Sequence, residues 1–169
     1  MNTKFMWKMC ALLGVFLISA CSPKFDWREV RNEEANFVVL LPAKPASYAR
    51  DIHLEELKVN MKMQAAQVDE ISFAVGFVHV DATMDSAKLL AAMKNGMLKN
   101  IQGAQINNEQ NGNASWITAQ GKLANGGKVK MIAQFVAKGP WVYQVVILGN
   151  EKQLTPEVVD MFMGSFRIN

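Results

Sequence analysis

The sequence of 169 residues predicts a single α+β domain, an antiparallel β-sheet flanked by helices. Three observations carry that expectation. Leu57, Val59, Met61 and Met63 alternate with Lys58, Asn60, Lys62 and Gln64, the period of a strand with one face in a core. The later apolar runs are separated by Asn/Gly turn clusters, which suit hairpins and are too short for parallel crossovers. Only two stretches combine a helical apolar period with a start signal. With 50% hydrophobic and 20% charged residues the chain is globular in composition, and it contains no repeat, low-complexity tract or long linker that would divide residues 27–169.

Taken in order, Phe37 to Leu41 is a short apolar run closed by Pro42 and Pro45, which cannot extend a ladder. The alternating strand around Met61 follows, then a turn at Val68 to Glu70 and an apolar run from Phe73 to Val80. Thr83 or Asp85 can cap a helix in which Leu89, Met93, Met97 and Ile101 recur every fourth residue, and Gly103 ends it. Three strands come next, Gln105 to Asn108, Ala114 to Ala124 and Lys128 to Lys138, separated by Asn111-Gly112-Asn113 and Asn125-Gly126-Gly127. Lys138-Gly139-Pro140 turns the chain into Trp141 to Leu148, a run apolar enough to be buried on both sides. Thr155-Pro156-Glu157 opens a last helix with a cap, a first-turn proline and an acid suited to the helix dipole, and Val159, Phe162, Met163 and Phe166 are expected to face inward.

The N-terminus has the three-part layout of a secretory signal: Lys4 and Lys8, an apolar stretch from Met9 to Ile18, then small residues at Ser19 and Ala20. A membrane-spanning helix needs about 20 apolar residues, and Cys21-Ser22-Pro23-Lys24 breaks the run too early. Ile18-Ser19-Ala20-Cys21 resembles the lipobox of bacterial lipoproteins, with Ile in place of the usual Leu. The resemblance implies cleavage between Ala20 and Cys21, diacylation of the Cys21 thiol and acylation of its freed amino group. Several acyl chains hold far more firmly than one. By the same resemblance, Ser22 after the cysteine implies an outer-membrane address facing the periplasm in a double-membraned organism. Residues 21–26 are then a lipidated tether, short enough to keep the domain within about 20 Å of the bilayer at about 3.5 Å per residue.

Cys10 leaves with the signal and Cys21 is consumed by lipid, so thiol chemistry is excluded from the mature domain. Loss of Lys4 and Lys8 lowers the net charge from +3 to +1, and the remaining cations are scattered, which argues against a nucleic-acid partner.

The arrangement of the mature chain resembles the PsbP-like fold, an α/β/α sandwich shared by a photosystem subunit and a family of small bacterial envelope proteins. The residues that carry the resemblance are Asn36-Phe37-Val38-Val39-Leu40-Leu41-Pro42, Lys138-Gly139-Pro140-Trp141-Val142-Tyr143-Gln144 and Gly164-Ser165-Phe166-Arg167-Ile168. It implies a binding or assembly-accessory role without a shared catalytic site.

Candidate chemistry is sparse. His79 and Asp81 lie two apart at a strand end and could hold a metal or orient a proton carrier, but a metal site needs a third ligand and His53 is the only other imidazole. A polar strand terminus accounts for the pair equally well. Met61 and Met63 share a strand face and could bind Cu(I), although methionine in this alternation is also ordinary core. No Gly-x-Ser-x-Gly elbow, P-loop, dinucleotide fingerprint or paired-cysteine motif occurs, so an enzyme is not expected and no cofactor is implied. Trp116, Trp141 and Tyr143 could anchor a partner or belong to the core, and Trp141, just after a tight turn, together with Tyr143 is the candidate partner surface. The expected function is an envelope lipoprotein with a non-catalytic binding or assembly-accessory domain. The alternative is a small-ligand or Cu(I)-binding module of the periplasm.

Overall fold

The computed structural model describes residues 23–111 and 114–169. Cys21, Ala20 and the signal segment lie outside the described residues, as do Gly112 and Asn113 of the first Asn-Gly turn.

Among the described residues ten strands and two α-helices follow one another as β1 (Arg28–Asn32), β2 (Phe37–Leu41), β3 (Ala46–Leu54), β4 (Leu57–Val68), β5 (Ile71–His79), α1 (Ser86–Asn100), β6 (Ala104–Asn111), β7 (Ala114–Lys122), β8 (Lys128–Lys138), β9 (Trp141–Gly149), α2 (Pro156–Met163) and β10 (Arg167–Ile168). Seven strands form the central antiparallel sheet in the order β3-β4-β5-β9-β8-β7-β6, and β1, β2 and β10 make a separate small sheet. The fold is α+β, as the alternation and turn chemistry require.

Side-chain alternation divides the core between the two faces of the central sheet. On one face Phe73, Phe77, Tyr143, Val145 and Ile147 pack under the small sheet and α2, meeting Phe37, Val39, Leu41 and Phe162. The rings interlock edge to face, with Phe73 and Phe162 centroids 5.3 Å apart and Phe37 and Phe77 5.4 Å apart. Each fully buried ring of this kind contributes about 1.5–3 kcal/mol. On the other face Val59, Met61, Val78, Val142, Met131 and Phe135 pack beneath α1, through Leu89 and Met93. The Asp85 carboxylate starts α1 by accepting from the Ala87 and Lys88 amides, the cap expected from the sequence.

Three parts of the sequence expectation need correction. β1, β3 and β10 are strands that the apolar pattern does not announce. Lys24, Phe25 and Asp26 of the expected tether are held against the domain: Lys24 pairs with Asp69 at 2.9 Å, the Asp26 amide donates to the Pro42 carbonyl, and Phe25 lies edge-on to Phe73 with centroids 6.3 Å apart. An aromatic side chain in that position gains more from the hydrophobic face than from water, which is why the chain docks early. Finally, α2 ends at Met163, and Phe166 reaches the core from the segment after it, packing on Phe37 at 5.7 Å.

Candidate functional site, a thioether-lined cleft under helix α1

The α1 face of the central sheet is incompletely covered. One cross-strand row on that face runs Tyr48, Met63, Gly76, Gln144 and Phe135, each paired with the next. Gly76 leaves a gap in the row. A Cβ placed there would lie 2.9 Å from both Cγ and Nε2 of Gln144 and 3.0 Å from Sδ of Met61, so these two side chains lean over the glycine and leave no room for a third. Above them lies a cleft of about 750 Å³ between α1 and the β3–β4 hairpin, within the usual range of small-molecule sites, roughly 300–1,000 Å³.

Four methionines line it: Met61 and Met63 from alternate positions of β4, and Met93 and Met97 from successive turns of α1. The sequence put each pair on one face of its own element, and the hairpin brings the two faces together. Arg50 and His53 stand on the β3 wall and Lys99 on the α1 wall. Glu55 is the one carboxylate lining the cleft, and it accepts a 3.0 Å hydrogen bond from Asn95 Nδ2, which ties α1 to the β3–β4 turn. Among the described residues neither Arg50 nor Lys99 forms an ion pair.

Among the described residues Gln144 is the one buried residue of the polar and charged types, 9% exposed on a central strand, and no hydrogen bond there reaches its side-chain amide. The amide opens onto the cleft. In the sequence Gln144 is hidden within the apolar run Trp141 to Leu148, where a single Gln is the only signal.

The other candidates fall elsewhere. His79 is exposed on the opposite face, edge-on to Trp141 at 4.9 Å. The Asp81 carboxylate accepts from the Thr83 amide and hydroxyl at 2.9 and 2.6 Å, and these bonds hold its pKa below the usual value. The pair is therefore a turn into α1, not a proton relay, and among the described residues no three His, Cys, Asp or Glu side chains gather as a metal site would need. Tyr143 corrects the partner-surface expectation: it is 1% exposed, its hydroxyl donates to the Ala35 carbonyl, and burial pushes its pKa up. Trp141 remains half-buried beside Phe77, and Trp116 packs against the same core. A second cleft, between β7, β8 and the turn at Asn150, is walled by lysines around Glu151, with Val129 its one larger apolar side chain.

No protein-family model matches this sequence, and no curated protein matches it. Solved structures do. The solution structure of cyanobacterial PsbP (CyanoP) from Synechocystis sp. PCC 6803 superposes with a TM-score of 0.55 over 89% of this chain and 96% of that one, at 9% identity. The chain has the PsbP-like fold. At that identity the likeness establishes architecture alone, so the chemistry of the PsbP-like domain described here rests on its own residues. Among those residues no helix is long and apolar enough to cross a membrane.

Proposed function

We propose that this chain is an envelope lipoprotein whose PsbP-like domain is a non-catalytic binding or assembly-accessory unit held close to a membrane. In this reading residues 1–20 are removed, Cys21 carries the lipid, and Ser22 directs the protein to the outer membrane, facing the periplasm, in a double-membraned organism. The observation that supports binding is the cleft beside Gly76 and Gln144, with a side-chain amide opening onto it and four thioethers along its walls. Support for the anchor comes from Ile18-Ser19-Ala20-Cys21. With Lys24 and Phe25 docked on the domain, little chain is left to separate it from the bilayer.

Growth with an alkyne-bearing palmitate tests the anchor: the wild-type chain takes up label and Cys21→Ser does not. Label retained by the serine variant removes the lipoprotein reading. Crosslinking in intact envelopes tests the accessory role, which requires a reproducible partner.

A second reading, a periplasmic Cu(I) module, gains from the convergence of Met61, Met63, Met93 and Met97, since soft thioethers suit Cu(I). Arg50 and Lys99 oppose a cation there. Titration of the protein with Cu(I) against a competing chelator decides it, and the absence of tight binding ends it.

A further inference from the structure

The walls and floor of the cleft specify a ligand class. We infer that it binds a linear apolar monocarboxylate, a fatty acid whose head lies against the Gln144 amide and whose chain runs among the methionines. This deepens the reading of the cleft as the domain's binding site and rests on it.

Hydrogen-bond donors line the cleft. Nε2 of Gln144 borders the space that a Cβ at Gly76 would enter, and a primary amide nitrogen only donates. Arg50 and Lys99 bring two further donors, both cationic, from opposite walls. The one lining carboxylate, Glu55, is already engaged by Asn95. Such a set matches an acceptor-only anion, because bonds between charged donors and a carboxylate are about twice as strong as neutral ones. The rest of the lining fits a flexible chain: unbranched, polarizable methionine side chains adapt to irregular apolar shapes. Gln144 is a buried residue of an otherwise apolar strand whose amide faces the open cleft, where a ligand can take up the hydrogen bonds that water otherwise makes.

The test uses the full-length chain in membranes, labelled with a photoactivatable fatty acid or with the matching fatty alcohol, and the crosslinked peptides mapped by mass spectrometry. The acid is expected to mark β4 and α1 near Met61, Met63, Met93 and Met97. Gln144→Leu should lower that labelling about tenfold, as should Arg50→Glu. Gln144→Leu should also unfold at the same temperature as wild type or higher, a result that a merely structural glutamine would not give. Equal labelling by acid and alcohol, unchanged in both variants, overturns the carboxylate assignment while leaving an apolar binding cleft in place. No label from either probe on β4 or α1 overturns the cleft as a binding site altogether.

Discussion

The Tyr143 hydroxyl donates a 2.6 Å hydrogen bond to the main-chain carbonyl of Ala35, 108 residues earlier. It joins the middle of the central sheet to the turn between β1 and β2, and both residues are buried. Tyr143→Phe leaves that carbonyl without its partner and is expected to cost about 1–2 kcal/mol, read from urea unfolding. Burial raises the Tyr143 pKa above the ordinary phenol value. The neutral form is thus favoured in the folded state, and the associated stability is complete below about pH 10, the unfolded value, and falls as pH rises towards the folded one. Tyr143→Phe should flatten that alkaline loss.

The cap of α1 is a single carboxylate. Asp85 accepts from the Ala87 amide at 2.8 Å and the Lys88 amide at 3.3 Å. Asp85→Ala should lower stability by about 1 kcal/mol, and hydrogen exchange should quicken first in the opening turn of the helix, whereas Asp85→Asn should retain most of the protection.

Where α1 ends, backbone meets backbone. The Lys122 amide donates to the Ile101 carbonyl at 2.6 Å, and a Cβ on Gly121 would collide with that same carbonyl oxygen. Neither side can yield as a flexible side chain would. Gly121→Ala should cost about 1–3 kcal/mol, the usual penalty of overpacking, with a clear drop in melting temperature by calorimetry.

Phe25 fastens the start of the domain. Its ring lies 5.5 Å from Trp27 and 6.3 Å from Phe73. Phe25→Ala should destabilise the fold by about 1–2 kcal/mol, because a half-buried ring is lost rather than a fully buried one. Limited proteolysis after Lys24 should accelerate in the variant; unchanged cleavage would mean that the segment contributes nothing to docking.

Legibility followed from how each element is stabilised. β2 and β8 have the bounds read from the sequence because prolines, glycines and a clean apolar period mark them. β3 was invisible: it is an edge strand, exposed from Ala46 to Asp51, held by its ladder to β4 rather than by any apolar pattern. β1 buries only Val30 and gives no period to read. In the cleft, the Met61–Met63 and Met93–Met97 pairs were each legible, but their meeting depends on where the β3–β4 hairpin folds beneath α1, a long-range contact that no local spacing encodes. Gly76 and Gln144 acquire meaning only once they are found opposite one another.

The central sheet acts as a partition. The aromatic cluster that grips Phe25 and Trp27 and the methionine cluster beneath α1 have no residue in common. Substitutions on the two sides should therefore combine almost additively, within about 0.3–0.5 kcal/mol where the sites are well separated. The lining of the cleft under α1 is consequently free to change, residue by residue, while the aromatic side goes on holding the docked N-terminal segment in place.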